Sequence, residues 1–420
     1  MILKSLEINK WNQFDKITLE FNPKLTIITG ANGSGKSTII RLISRVMGWE
    51  YNETATPLLS TKESYRFLSG ITLNILNEFL NEEQNQQHLG VNIGNLLTNQ
   101  GQINIYVPKQ AESAIYSVNF HPYLQLKGVN IPSHRIQHTY KPIKSIPVKP
   151  RTKKEAFNLF NESFKKRTMS MSYYNPTEDD PTAHIKATLM SLAVFGKGNE
   201  FVTNDDRAYE LFVGFVRVLK LLLPETLGFK ELKVKDGEII LVTETGHFLI
   251  DSVSGGIGAI IDLAWQIYMY DDNETESFVV LLDEAENHLH PSMQRSLLPN
   301  LLEAFPNVQF VVTTHSPFMV NSVQDSTVYV LNYNDDKKVV TEKLDFINKA
   351  GNASEILRDV LGVPVTLPVW VEKKLNSIAE NYSYSNLTPE TYQRLKTELS
   401  EIGLNDYLPD ALGIIGGGQN

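Results

Sequence analysis

One stretch near the start of the chain, GANGSGKST at residues 30–38, constrains the fold more than any other feature. It matches the pattern GxxxxGK[ST] at every fixed position. The apolar run LTII precedes it and is typical of a buried strand, whereas STIIRLISRVM follows it with apolar residues at helical spacing. A strand, a glycine-rich turn and a helix form the context of a phosphate-binding loop, so the stretch predicts an α/β fold built around a nucleotide.

The residue types of this loop predict how it binds phosphate. Glycines let successive backbone N–H groups turn toward phosphate oxygens, Lys36 reaches the outer phosphates, and the Ser37 hydroxyl is a ligand for Mg²⁺. The predicted nucleotide-binding residues of the loop are Gly30, Asn32, Gly33, Ser34, Gly35, Lys36, Ser37 and Thr38.

Two later apolar runs end in residues suited to the chemistry of phosphates. FVVLLDE at residues 278–284 is typical of a strand buried on both faces of a parallel sheet. Asp283 is a candidate Mg²⁺ ligand, and Glu284 is placed to orient or deprotonate an attacking water. VVTTHSP at residues 311–317 ends the next predicted strand in His315. Both runs are expected to open onto one sheet edge, so we predict Glu284 and His315 as catalytic residues, with a buried structural histidine as the alternative for His315.

A serine and two glycines, Ser254, Gly255 and Gly256, open a predicted helix that runs to Tyr270. A helix N-terminus of this composition is suited to binding an anion, although Ser-Gly at a helix start is also ordinary capping. The three residues are therefore further candidates for contact with the nucleotide.

The order of these motifs resembles that of a known family. It is similar to the ATP-binding-cassette (ABC) ATPases of the group that contains the overcoming-lysogenization-defect (OLD) proteins, RecF and SMC-type heads, and the phage-defence ATPases such as Septu-type PtuA. LLDEAENHLHP resembles that group's extended Walker B motif with its D-loop, and IPSHR at residues 131–135 resembles a segment that precedes its helical lid. The resemblance covers about residues 1–335.

The resemblance implies a head-to-tail dimer, or a higher homo-oligomer, with two sandwiched ATP molecules and Mg²⁺. Ser254 and Gly256 of one subunit would contact the γ-phosphate bound by the other subunit. The chain departs from the family at Ile257, where the signature usually carries Gln or Glu. Gln110 and Gln137 are the candidates for the Q-loop glutamine.

The predicted fold class is α/β, a P-loop ABC ATPase head with a mixed sheet core, a helical lid insertion and a C-terminal helical extension. The predicted boundaries are 1–139 for the N-terminal part of the core, 140–230 for the lid, 231–335 for the C-terminal part of the core, and 336–420 for the extension. The extension ends in an apolar tail that either packs on its own domain or docks on a partner. The apolar tail residues are Tyr407, Leu408, Leu412, Ile414 and Ile415.

Charge and composition limit the alternatives. The net charge is −9, but residues 141–167 hold nine basic residues against two acidic ones, a local charge of +7. This basic segment is either a solvated or protein-docking surface or a contact for a nucleic-acid backbone. The absence of cysteine excludes disulfides and Cys-based zinc sites. No apolar run reaches the roughly 18 residues of a membrane span, so we expect a cytoplasmic protein.

No nuclease centre is predicted in this chain. A Toprim nuclease needs a Glu followed by an Asp-x-Asp pair, and no such pair follows Glu372. The resemblance to Septu-type ATPases implies the first hypothesis, an ATPase subunit of a bacterial anti-phage defence complex that controls a separately encoded nuclease, of HNH or Toprim type, through nucleotide-dependent dimerisation. The alternatives are a RecF- or SMC-like repair ATPase that binds DNA directly, and an ATP-sensing scaffold with slow or no hydrolysis.

Overall fold

The computed structural model describes residues 2–59, 65–70, 90–109, 114–169, 180–271, 276–345, 356–357, 369–382 and 388–417. The chain divides into two compact units, Met1–Ile356 and Leu357–Asn420. Among the described residues, none of the helices is both long and apolar enough to span a bilayer.

The first unit is organised around one large sheet. The strands found in the described ranges are β1 Leu3–Trp11, β2 Phe14–Glu20, β3 Leu25–Gly30, β4 Glu53–Thr54, β5 Thr56–Leu59, β6 Tyr65–Leu68, β7 Val91–Thr98, β8 Gly101–Val107, β9 Ile115–Tyr116, β10 Asn119–His121, β11 Gly128–Ile131, β12 Phe229–Lys235, β13 Glu238–Thr243, β14 His247–Leu249, β15 Phe278–Leu282, β16 Val308–Thr313, β17 Thr327–Tyr333 and β18 Val339–Lys343. Eleven of them form a sheet in the order β10-β8-β7-β1-β2-β18-β17-β3-β16-β15-β11. Strands β12, β13 and β14 form a separate three-stranded sheet, and β4 with β9 and β5 with β6 form pairs.

The parallel half of the large sheet fixes where polar residues can meet. Strands β11, β15, β16, β3 and β17 run parallel to one another, so all five end at the same edge. Every residue of β3, β15 and β16 is buried, as expected for strands covered on both faces. The other half is largely antiparallel, which confirms the predicted mixed sheet.

The predicted boundary at residue 335 requires correction. It falls inside the hairpin formed by β17 and β18. Strand β18 also pairs with β2 in parallel, and its Val339 is fully buried. Because both strands belong to the large sheet, the first compact unit continues to Ile356.

Helices cover the sheet and fill the predicted lid. The helices of the described residues are α1 Lys36–Arg45, α2 Lys153–Met169, α3 Pro181–Lys197, α4 Asp206–Leu222, α5 Gly255–Tyr270, α6 Pro291–Ala304, α7 Pro317–Val320, α8 Val369–Ala379, α9 Pro389–Glu401 and α10 Leu408–Gly417, with 3-10 turns at Glu225–Leu227 and Asn405–Tyr407. Helices α2, α3 and α4 lie inside the segment predicted as a lid. Asp180 and Asp205 cap α3 and α4 by accepting backbone N–H bonds. The Phe215 ring of α4 meets Trp265 of α5 edge-on at 5.1 Å, which attaches the lid to the core.

The second unit contains helices α8, α9 and α10 around a small apolar cluster. Thr388 caps α9 by accepting from the Thr391 N–H. The buried residues of this cluster are Val371, Leu375, Ile378, Ala379, Leu395, Leu399, Leu404, Ala411 and Ile415. Tyr407, Leu408 and Leu412 of the apolar tail pack against it, which favours packing on its own unit over docking, while the Ile414 side chain lies outside the described ones.

Candidate functional site

The parallel strand ends bring the predicted site residues to one edge of the sheet. Strand β3 leads into the glycine-rich loop, β15 into Asp283 and Glu284, and β16 into Thr314 and His315. Strand β11, which lies beside β15, leads into the segment 132–135. Four separate parts of the chain therefore converge on the start of helix α1.

The loop has the backbone geometry of a phosphate-binding loop. Gly35, the residue before α1, has φ +95°, and a Cβ there would lie 2.5 Å from the Phe14 ring. Only glycine satisfies both conditions. Gly30 and Gly33 also have positive φ, while Asn32 is exposed and Ser34 is buried. Ser37 and Thr38 lie in the first turn of α1, where backbone N–H groups have no partner within the helix.

Lys36 is the buried cation of this loop. Its Nζ donates to the carbonyl oxygens of Gly30 and Ala31, each at 2.9 Å. Burial lowers the pKa of Lys36 to about 8, and the carboxylates of Glu286 and Asp283 oppose that shift. The side chain therefore remains protonated at neutral pH and offers a positive charge to an anion.

Ser37, Asp283 and Thr313 form one hydrogen-bonded cluster. The Ser37 hydroxyl donates to Asp283 Oδ1 at 3.1 Å, and the Thr313 hydroxyl donates to the same oxygen at 2.5 Å. The Ser37 and Asp283 oxygens suit Mg²⁺, which prefers oxygen ligands and few protein groups. In the part of the chain that the structure describes, no group of three or more His, Asp or Glu side chains forms a dedicated metal cage. The pair fits a magnesium ion that takes its remaining ligands from phosphate and water.

Glu284 is held in an unusual backbone conformation beside this cluster. Its φ is +46°, in the left-handed region that residues other than glycine rarely adopt. Its N–H donates to the Thr313 hydroxyl at 2.8 Å, and Asn287 Nδ2 donates to its carboxylate at 2.8 Å. Arg135 donates to the carbonyl of Asp283 at 3.1 Å. Burial lowers the pKa of Arg135 to about 10, opposed by the nearby carboxylates, so its guanidinium stays charged.

His315 lies on the same edge, as predicted. Its backbone N–H donates to Glu286 Oε1 at 2.5 Å. Burial lowers the pKa of His315 below its ordinary value, and the charge of Lys36 lowers it further. The imidazole is therefore neutral at pH 7. It can donate one hydrogen bond to a phosphate oxygen without adding a charge.

The predicted signature residues lie at the start of α5. Ser254 is the N-cap residue, yet its exposed hydroxyl makes no capping bond. A Cβ at Gly255 would meet open space, whereas one at Gly256 would lie 2.8 Å from the His288 carbonyl, so the close approach requires glycine at 256. Among the described residues, Ser254, Gly255 and Gly256 make no hydrogen bond with the glycine-rich loop.

Two buried ion pairs support the signature segment. His138 Nε2 lies 2.9 Å from Asp262 Oδ1 on α5, with 2% and 6% of the two side chains exposed. Burial alone would lower the pKa of His138, but the Asp262 carboxylate raises it to about 9. Lys186, on lid helix α3, lies 2.6 Å from Asp251, and both side chains are fully buried. Asp251 stands three residues before Ser254, so the segment predicted as a lid is bonded directly to the start of the predicted signature segment.

The family follows from comparison with known proteins. The family model described as "RecF/RecN/SMC N terminal domain" matches residues 2–339. The chain belongs to this family. That membership, together with the mixed sheet, confirms the predicted P-loop ABC-type ATPase head. Curated relatives include "Septu protein PtuA" of Bacillus mycoides (strain KBAB4), 31% identical over 159 residues that cover 36% of this chain and 22% of that protein. "Retron Ec83 probable ATPase" of Escherichia coli is 30% identical over 114 residues, covering 25% and 21%.

These two relatives confirm the resemblance to phage-defence ATPases, although the matched segments span only about a fifth of either relative's length. Among solved structures, the "SMC head domain from Thermotoga maritima" covers 82% of this chain and all of that one, with 14% identity and a TM-score of 0.41.

The basic segment of this RecF/RecN/SMC family member is partly engaged in its own fold. Lys141 lies 2.8 Å from Asp180, and Lys153 donates to the Asp271 carbonyl at 2.7 Å. Further along, Lys165 Nζ lies 4.3 Å from the centre of the Trp49 ring. These three of the nine basic side chains of this segment therefore make contacts within the fold.

Several residues of the site were not predicted from the sequence. Thr313, Arg135 and Asn287 contact Glu284, and Glu286 contacts His315. All four lie within the motifs that carry the family resemblance, which was the available signal. Of the Q-loop candidates, Gln110 lies outside the described residues. Gln137 is exposed and follows the segment after β11.

Proposed function

We propose that this chain is an ATP-binding and ATP-hydrolysing subunit of a bacterial anti-phage defence complex. The observation that carries the proposal is the hydrogen bond from Ser37 to Asp283, which joins the glycine-rich loop to a strand end 246 residues later. The names of the Septu and retron relatives support the defence role.

Each residue of the site has a distinct part in the proposed reaction. The N–H groups of the loop and the Lys36 ammonium bind the outer phosphates, while Ser37 and Asp283 hold Mg²⁺. Mg²⁺ held by these two oxygens would supply positive charge to offset the negative charge of the phosphates. Glu284 orients the attacking water and accepts its proton. Neutral His315 donates a hydrogen bond to the γ-phosphate region.

A second copy of the chain completes the proposed site. The Ser254 hydroxyl is exposed and the helix behind it presents its N-terminus, an arrangement suited to an anion. We infer that it contacts the γ-phosphate held by another subunit, so ATP binding joins two heads and hydrolysis releases them. The dimer would then control a separately encoded nuclease of HNH or Toprim type.

The Glu284→Gln variant tests the enzymatic part of the proposal. We expect it to bind ATP with Mg²⁺ as tightly as the parent, to lose steady-state hydrolysis, and to accumulate as an ATP-dependent dimer in light scattering. Glu303→Gln, an exposed position on α6, is the matched control and should hydrolyse ATP normally. A parent protein that binds ATP without turnover would refute the enzyme and favour the scaffold.

Direct DNA binding has less support, because several charges of the basic segment are engaged internally. DNA affinity of the purified chain at several salt concentrations tests it. A steep fall in affinity with salt would support direct contact with phosphates. No measurable affinity would remove the repair alternative.

A further inference from the structure

Glu284 is fixed at both backbone polar groups by residues from other parts of the chain. Its N–H donates to the Thr313 hydroxyl at the end of β16, at 2.8 Å. Its carbonyl oxygen accepts from the Arg135 guanidinium, at 3.5 Å, from the segment that follows β11. These two contacts hold the left-handed φ of +46° and so determine where the side chain leaves the backbone.

Asn287 fixes the remaining polar group of Glu284, its carboxylate. Asn287 Nδ2 donates to Glu284 Oε2 at 2.8 Å and to the Ser133 carbonyl at 3.0 Å. Both partners can only accept, and a side-chain amide has two N–H donors on its nitrogen and none on its oxygen. The orientation of the amide group is therefore determined. Both of its hydrogens are used, one on Glu284 and one on the strand-end segment beside it.

We propose that Asn287 is a positioning residue for hydrolysis, which holds the Glu284 carboxylate in the orientation needed to act on the attacking water. The inference rests on the proposed function and deepens it. All contacts of the arrangement lie within one subunit, so the base is oriented before a second copy arrives.

Two substitutions at Asn287 separate positioning from packing. Asn287→Ala removes the donor, and Asn287→Asp keeps the size and shape but sets an acceptor against the Glu284 carboxylate and the Ser133 carbonyl. Hydrogen bonds to charged groups are strong enough that we expect kcat to fall about 10- to 100-fold in Asn287→Ala and at least as far in Asn287→Asp. KM and the affinity for ATP should stay within about twofold, because the loop that binds phosphate is untouched. Asn158→Asp, at an exposed position of α2, is the control for added charge and should hydrolyse ATP like the parent.

A double-mutant cycle tests the same contact without measuring turnover. In the Glu284→Gln background, the introduced glutamine amide can donate to the aspartate of Asn287→Asp. Asn287→Asp should therefore lower Tm by on the order of 2 °C in the parent and by clearly less in the Glu284→Gln background. In the Glu284→Gln background, the remaining decrease in Tm comes only from the lost hydrogen bond to the Ser133 carbonyl.

The outcomes are distinct. Turnover in both Asn287 variants within about twofold of the parent would overturn the inference, as would a loss of ATP affinity equal to the loss of kcat. Equal Tm losses in the two backgrounds would overturn it as well. If the parent shows no hydrolysis, the proposed enzymatic function fails, and the cycle alone decides whether Asn287 holds Glu284.

Discussion

Replacing His138 with Gln should abolish a specific pH dependence of stability. The His138 ring is buried against Asp262 on α5, with its Nε2 2.9 Å from the carboxylate and its Nδ1 3.2 Å from the Ile250 carbonyl. Gly258 makes room for the ring, since a Cβ there would lie 3.3 Å from it. Protonated imidazole satisfies both acceptors, whereas neutral imidazole has only one N–H to donate.

The magnitude follows from the pKa of His138. Burial alone would lower it, but the Asp262 carboxylate raises it from 6.5 to about 9. At 1.36 kcal/mol per unit, a shift of this size corresponds to about 3 kcal/mol. Between pH 6.5 and pH 9 the folded chain keeps a proton that the unfolded chain has lost. The stabilisation is therefore complete below pH 6.5 and is lost as the pH rises through 9.

Urea unfolding of the parent and of His138→Gln, at pH 6.5 and at pH 9, measures the effect. The difference in unfolding free energy between the two proteins should shrink by about 3 kcal/mol over that interval. Lys36 also titrates in this window, but it is present in both proteins and cancels in the difference. His247→Gln, at an exposed position of β14, should leave the pH dependence unchanged. Parallel pH profiles for His138→Gln and the parent would refute the coupling to Asp262.

Three further perturbations test other parts of the structure. Gly35→Ala would place alanine at φ +95° and a methyl group 2.5 Å from the Phe14 ring. We expect at least a tenfold loss of ATP affinity in equilibrium titration, roughly the cost of one left-handed residue. Unchanged affinity would contradict the loop geometry. Lys186→Met removes the buried cation that Asp251 and Glu238 share and should destabilise the first unit by about 3–5 kcal/mol in urea unfolding, with part of the loss recovered by adding Asp251→Asn. If the double variant is no more stable than the single one, the ion pair is not the cause. Thr388→Ala removes the cap of α9 and should cost about 1 kcal/mol, seen as faster amide exchange within Pro389–Glu401 and nowhere in the first unit.

The phosphate-binding loop was predictable because its determinants are local. A buried strand, glycines with positive φ and an amphipathic helix follow one another within a short stretch, and each leaves its own pattern in the sequence. The acidic strand end at Asp283 was predictable for the same reason.

The strand neighbours were not predictable from such patterns. A continuous apolar run indicates burial on both faces but does not say which strand lies beside it. Strand β18 shows the consequence. Its sequence VVTEK follows a charged turn and has one fully buried residue, Val339, so the core was predicted to end too early. Only its pairing with β17 and β2 places it in the sheet.

The site residues that were not predicted are brought into the site by the register in which the strands pair. Thr313 reaches Asp283 because β15 and β16 pair with Leu282 opposite Val312, which sets the next residue of each strand side by side. Nothing in VVTTHSP distinguishes Thr313 from Thr314 in this respect. Lys186 left a weak signal in the sequence, a lysine within the apolar part of α3. Its role becomes clear only from its partner Asp251 in the folded structure.

The position of β3 in the sheet also determines when, during synthesis of the chain, this strand can pair with its neighbours. This strand lies between β16 and β17, and its Thr29 donates to the carbonyl of Thr314, 285 residues later. At about 5–20 residues per second, the ribosome takes on the order of 15 to 60 s to supply that partner. Until then the strand that carries the glycine-rich loop has no lateral neighbours from this part of the sheet. Nucleotide binding thus becomes available only once almost all of the first unit has been translated, and a chain that stops earlier should fail to bind ATP and expose an apolar strand to chaperones.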